Sequence, residues 1–330
     1  MDQHNGRRDF LIGATSLAAA AAVMPAKAAD PLVTLRVGDV QSNSAYDRGL
    51  QGFAKDVEAR TKGRVKIQVL TGTQLGNELD MVKQVRAGTL DMCQVGVSGY
   101  DKFQMLYVPY LFGKDRMMAF TRSEIGESWR QSLLKDWNVN LLSYVYFGPR
   151  HITAKKPVTK PDDLKGVKIR VPQLPTLVDA FKGWNANVVA MAVGELYVGL
   201  QTGNLDAQEN PLNFIVSNSL FEVQSDLTLS GHAQAPRYFM INANSMKRLS
   251  ADDQKSLQTA ANDMAAGIEK TLRAEDDQYL QTVKSKGMKV HEINVAPFVA
   301  AVKDVGREQA DKVWGPGVLD KIRSQFGPGR

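Results

Sequence analysis

Two stretches of this chain repeat one order of elements, and that order restricts the fold more than composition does. From 33 to 38 the residues VTLRVG have strand character. Tyr46, Leu50, Phe53 and Val57 then recur at helical spacing, and Gly63 sits where a residue just past a helix end belongs. A strand at 64–70 (RVKIQVL), a loop (TGTQLG), a helix over 77–87 and a strand at 90–97 follow. This β-α-β-α-β order is that of an open α/β sheet.

The same grammar returns with GVKIRVP at 166–172, a helix at 175–184, a strand at 187–191, a helix at 194–202 and the polar stretch GNLDAQENP at 203–211. Two local matches mark a pseudo-repeat: GRVKIQV with GVKIRVP, and RAGTLDMCQ (86–94) with QTGNLDAQE (201–209), where in both a glycine ends a helix and Leu-Asp leads into a strand. Two α/β lobes are therefore expected, with a ligand cleft between them. The segment VNLLSYVYFGPRHITA (139–154) is nearly continuous in strand formers and is placed to cross from one sheet to the other. Ser250 and Asp253 form a Ser-x-x-Asp capping box heading a helical pattern that runs to Lys286. A helix of that length, about 50 Å, is long enough to lie across both lobes.

The first thirty residues read as a secretory signal: a charged head with Arg7 and Arg8, an apolar run over 10–24, and small residues ending in Ala26-Lys27-Ala28. The run is shorter than the roughly 20 residues a spanning helix needs, so cleavage after Ala28 and export are expected. The paired arginines followed by Asp9-Phe10-Leu11 resemble a twin-arginine (Tat) signal, and a Sec signal with an adjacent pair is the alternative. Hydrophobic residues at 43% and charged residues at 23% fit a globular protein with an ample core. The single cysteine, Cys93, forms no internal disulfide and lies in an apolar run, as a small buried residue does. Net charge is +6, with the basic residues interspersed among acidic ones rather than gathered in a stripe, which argues against nucleic-acid binding and favours small anions.

No metalloprotease, dinucleotide, Walker or nucleophile-elbow motif is present, and His151, His232 and His291 lack metal-ligand spacing. Neither a cofactor nor a metal is expected. What stands out is a pair of arginines in apolar strand sequence, Arg170 in VKIRVP and Arg150 in YFGPRH. Alternation along a strand allows each to point to solvent. In a basic, two-lobed, exported chain an anion site explains both, because a guanidinium offers a planar donor fork matching a carboxylate.

The sequence resembles the solute-binding subunits of tripartite ATP-independent periplasmic (TRAP) transporters, of the DctP type. The resemblance runs through the whole mature chain. It is densest in FGPRHITAKKPVTKPDDLKGVKIRVP (147–172) and GELYVGLQTGNLDAQENPLNFI (194–215), with support from TGTQLGNELDMVKQVRAGTLD (71–91) and EVQSDLTLSGH (222–232). It implies a two-lobed periplasmic-binding-protein-like α/β fold with mixed sheets, crossing hinge strands and a long helix spanning both lobes. Residues 29–147 with 237–275 would form the first lobe and 148–236 with 276–330 the second. It also implies a non-enzymatic periplasmic receptor that closes over an organic acid and delivers it to the membrane subunits of a permease. By the same resemblance Arg170 makes the main salt bridge to the ligand carboxylate, Arg150 is a second donor to it, Asn210 hydrogen-bonds it, and Glu78 meets polar parts of the ligand.

The chain departs from the sialic-acid-binding pattern at Val193, where a phenylalanine is usual, and near Gly96, where an acidic residue is usual. Phe147 stands where a polar residue is common, and Trp184 lies in WNANVVA, which lacks the usual prolines. These departures point to a smaller or more apolar carboxylate than a sugar acid, although Trp184, on a helical stripe with Leu177 and Phe181, reads more simply as core. Asp206, Gln208 and Glu209 read as support for the turn and hinge rather than as ligand contacts. Competing readings are an exported enzyme using Glu209 or Glu78 as general acid or base, and the binding subunit of an ABC importer.

Overall fold

A computed structural model describes residues 33–113 and 115–328. The expected signal at 1–28 lies outside the described residues. Eleven strands are described: β1 (Val33–Asp39), β2 (Val65–Thr71), β3 (Met92–Val95), β4 (Val139–Val145), β5 (Arg150–Ala154), β6 (Lys168–Val171), β7 (Asn187–Ala190), β8 (Ala207–Pro211), β9 (Asp226–Ala233), β10 (Arg237–Asn242) and β11 (Lys289–His291). They form two mixed sheets, in the orders β2-β1-β3-β10-β4 and β11-β9-β5-β8-β6-β7. Within each sheet the consecutive strands of one β-α-β-α-β unit run parallel, and a strand arriving from the other sheet is added antiparallel: β10 beside β3, and β5 beside β8.

The topology corrects one of the two sequence matches. β1 lies between β2 and β3 as β6 lies between β7 and β8, so the counterpart of KIRV in β6 is RVGD in β1, not the VKIQV of β2. The physical reason is burial. The strands flanked on both sides each end in three buried residues, Val37–Asp39 in β1 and Ile169–Val171 in β6, whereas β2 sits on an edge and ends half-buried. The second match holds, since TLDMCQ leads into β3 and NLDAQE into β8, equivalent places in the two sheets.

The chain crosses between the sheets through 146–149, from β4 to β5, and through 234–236, from β9 back to β10. The helix Ala251–Ser285 is capped as its sequence foretells, with Ser250 Oγ accepting the Asp253 N–H at 3.2 Å. Its buried residues from Leu257 to Leu272 join the core around the first sheet, and Val283 joins a core cluster with Leu205, just before β8, and Leu227 of β9. One helix therefore spans both lobes. No helix among the described residues is long and apolar enough to cross a membrane.

The C-terminal stretch departs from the expected division, which gave all of 276–330 to the second lobe. Trp314 stacks on Trp129 at 4.8 Å between ring centroids, and Phe326 packs edge-on against Phe120, so the helices Arg307–Trp314 and Val318–Phe326 rest on the first lobe. Amphipathic helices settle where an apolar face is left open, and residues 116–137 leave one there. Cys93 is fully buried in β3, and burial pushes its thiol well above the ordinary cysteine range.

Candidate functional site

The carboxyl ends of the central strands of both sheets meet across one cleft, the position in which open α/β sheets present ligand sites. Residues just after β1 (Val40, Gln41) and β3 (Gly96, Val97) face Arg170 and Pro172 of the β6 end and Asn210 of β8. Phe147 and Arg150 enter from one crossing and Arg237 from the other. The lobes leave a cavity of only about 30 Å³ among them. All six residues singled out in the sequence, Arg170, Arg150, Asn210, Glu78, Phe147 and Val193, line this cleft.

Their chemical situations differ. Arg150, the first residue of β5, is buried and already committed: its Nε donates to Glu209 Oε2 at 2.5 Å, and its Nη2 to Glu209 Oε1 at 2.8 Å, the Glu209 carbonyl at 2.8 Å and Asn210 Oδ1 at 2.9 Å. Glu209 also meets His232 Nε2 at 3.0 Å. Glu209 thus holds Arg150 at the crossing and does not itself line the cleft. It is a fully buried carboxylate whose pKa, despite desolvation, is held below the ordinary range by Arg150 and His232. A group held ionised in this way is a poor general acid. Asn210 accepts from Arg150 and donates to Gln208 Oε1 at 2.7 Å, and Gln208 in turn donates to Thr153 Oγ1 at 2.8 Å. The polar residues 208–210 are therefore part of a buried, bonded network, and the half-buried Asp206 accepts the Lys168 N–H at 2.9 Å.

Arg170 is different. It is 3% exposed, and its Nε and Nη2 both donate to the Met191 carbonyl, at 3.0 and 2.8 Å. Among the described residues no carboxylate lies within 4.0 Å of it. Burial accordingly pushes its pKa down to about 10, the direction expected of a desolvated cation lacking a close counter-ion.

The first-lobe side holds a residue not singled out in the sequence. Arg237, the first residue of β10, is the counterpart of Arg150: buried, with Nη2 donating to both oxygens of Asp39 at 2.7 Å and to the Gln94 carbonyl at 2.9 Å. Its signal was of the same kind, an arginine opening the apolar strand RYFMIN. Burial raises Asp39 to about 6 against the opposing pull of Arg237. Glu78, the first residue of the helix Glu78–Ala87, accepts the Gly96 N–H at 2.6 Å and the Val97 N–H at 3.3 Å and stands 3.8 Å from Arg237 Nη1. Phe147 lies between the two paired arginines, with guanidinium carbons 5.6 Å (Arg150) and 5.5 Å (Arg237) from its ring centre. Its apolar character serves to space two cations. Trp184 is core: fully buried, packed on Phe181 and Phe298, with its indole N–H donating to the Phe298 carbonyl at 3.0 Å.

Two stability predictions follow from the buried charges. Glu209→Gln leaves the Arg150 guanidinium without its counter-charge and should lower the unfolding free energy by about 3 kcal/mol, read from urea denaturation. His151, whose Nδ1 accepts the Gly231 N–H at 3.2 Å, is pushed down to about 3, first by burial and then by His232. The unfolded chain takes up this proton near pH 6.5 and the folded protein does not, so the group withdraws stability progressively as pH falls from about 6.5 toward 3. His151→Gln should flatten the fall in unfolding free energy between pH 6.5 and 4. A slope equal to wild type would assign the acid lability elsewhere.

Residues 38–312 match the profile of the bacterial extracellular solute-binding protein family 7, DctP. A solute-binding protein of Roseobacter denitrificans is 32% identical over 300 residues, covering 88% of this chain and 91% of that one. The 2,3-diketo-L-gulonate-binding periplasmic protein of Escherichia coli is 35% identical over 242 residues, covering 71% and 73%. The crystal structure of a TRAP periplasmic solute-binding protein from Roseobacter denitrificans with bound L-galactonate superposes with a TM-score of 0.84 at 29% identity, covering 89% of this chain and 99% of that one. The chain belongs to the DctP family of extracellular solute-binding proteins of TRAP transporters.

Proposed function

We propose that this protein is a periplasmic receptor that captures a hydroxylated carboxylic acid of the sugar-acid kind and hands it to a TRAP permease. One observation carries the reading: Arg170 is buried at the cleft wall with a carbonyl, and no carboxylate, as its protein partner. A ligand carboxylate supplies the missing counter-charge, in a desolvated setting where a charge-assisted pair is strong. Arg150 and Asn210, fixed by Glu209 and Gln208, stand beside it and have hydrogen-bonding capacity left, since the Arg150 Nη1 bonds no described residue.

Similar proteins bind L-galactonate and D-glucuronate, the latter in a protein from Citrobacter koseri at 29% identity and a TM-score of 0.82, and these favour a sugar acid over the smaller or more apolar acid suggested by Val193, Gly96, Phe147 and Trp184, of which Trp184 is core. Chemistry on the ligand is not part of the proposal. Glu209 is locked between Arg150 and His232, and Glu78 is bonded to two backbone N–H groups. The lobes, divided at 146–149 and 234–236, close when the acid bonds both sides. The residues at 1–28 supply the export signal, read as twin-arginine.

Isothermal titration with L-galactonate and D-glucuronate tests this. Arg170→Ala should weaken the acid that binds by about 2–5 kcal/mol, a loss of roughly 30-fold or more. The same substitution should leave stability equal or raised, because it removes a buried charge that has no carboxylate partner. Affinity within a few-fold of wild type would overturn the assignment.

A further inference from the structure

The cleft has two ends of opposite charge. On the second-lobe wall Arg150 is neutralised by Glu209, and Arg170 is left over as an uncompensated positive charge. On the first-lobe wall the one guanidinium of Arg237 is shared by Asp39, at 2.7 Å, and Glu78, at 3.8 Å, which leaves that wall one negative charge in excess. The two paired arginines are structural counterparts, each opening a strand that has just crossed between the sheets, so the polarity comes from the charge each wall holds beyond its pair, Arg170 and Glu78.

Gln41 adds a second, independent observation. It follows β1, lines the cleft and is 5% exposed, yet neither its amide oxygen nor its amide nitrogen has a hydrogen-bond partner. Its backbone N–H donates to Asp39 Oδ1 at 2.9 Å, which fixes the residue beside the Arg237–Asp39 pair. A buried amide with both ends unsatisfied destabilises a protein unless something else satisfies it. A primary amide both donates and accepts, as a hydroxyl does, and Glu78 accepts from hydroxyls.

Building on the receptor reading, we infer that the first-lobe end of the cleft, made by Gln41, Glu78 and the Arg237–Asp39 pair, reads the hydroxyl end of a monocarboxylic acid and excludes a second carboxylate there. A ligand that is anionic at one end and hydroxylated at the other matches the field of the site, with its carboxylate at Arg170 and its hydroxyls at Gln41 and Glu78. A dicarboxylic acid of the same length would bring its second anion against Glu78, while Arg237 already has two carboxylates within reach and no unbalanced charge to offer. Specificity arises here from a repulsive element as much as from the attractive one.

The test uses pairs of acids that differ only at the far end: L-galactonate with galactarate, and D-gluconate or D-glucuronate with D-glucarate. Calorimetric titration of the whole mature protein should show each monocarboxylate that binds doing so at least tenfold more tightly than its dicarboxylic counterpart. Glu78→Gln, which removes the negative charge and keeps an acceptor, should narrow that ratio. Gln41→Leu should keep or raise the unfolding midpoint, since it removes a buried unsatisfied amide, while weakening the monocarboxylate about five- to tenfold, as the loss of one or two hydrogen bonds does. Were Glu78→Gln to unfold, the Gln41→Leu measurement and the wild-type ratio would still decide. A dicarboxylate bound as tightly as its partner overturns the inference and leaves the receptor reading intact. If no acid of either kind binds, the receptor reading fails and the inference fails with it.

Discussion

A guanidinium buried without a carboxylate is the constraint around which the rest of the site is arranged. Desolvating a cation is expensive, and Arg170 offsets that with a single backbone carbonyl, which partly satisfies its donors and leaves its charge unmatched. Such an arrangement persists because the surrounding strand is over-determined. β6 is paired on both sides, by β7 and β8, and its apolar residues Ile169 and Val171 are fully buried. Packing of the second lobe thus holds the charge in place, and the missing counter-ion is what a ligand brings.

The two other buried arginines show the opposite design. Arg150 and Arg237 open equivalent strands at the two crossings and each is satisfied within the protein, by Glu209 and Asp39. Phe147 separates them and faces both. Pairs of this kind are weak contributors to net stability but costly to break, so they rigidify the crossings and leave discrimination to the charge in excess on each wall. The pseudo-symmetry of the sheets therefore extends to the charges. What breaks the symmetry, Arg170 on one wall and Glu78 on the other, gives the cleft its direction.

Much of this was legible in the sequence because it rests on local patterns. Helical spacing from Tyr46 to Val57, the cap at Ser250 and the run of strand formers over 139–154 each report short-range physics, and the structure has an element at each. The lining residues Arg150 and Arg170 were visible as polar groups within apolar strands, and Asn210 through the family resemblance. Less visible was who pairs with whom. Glu209 meets His232 across 23 positions, Arg237 meets Asp39 across 198, and no local pattern encodes either contact. The same lack of long-range information misaligned β2 with β6, since edge and central strands share a vocabulary and differ chiefly in their neighbours. It also hid the two guanidinium groups beside Phe147.

The most direct measurement is the crystal structure of this protein with a bound sugar acid such as L-galactonate. The account predicts both lobes in contact with the ligand and a carboxylate oxygen within hydrogen-bonding distance of the Arg170 guanidinium, at about 2.7–2.9 Å. A carboxylate seated instead at the first-lobe end, or one that leaves Arg170 bonded to the Met191 carbonyl alone, would contradict it.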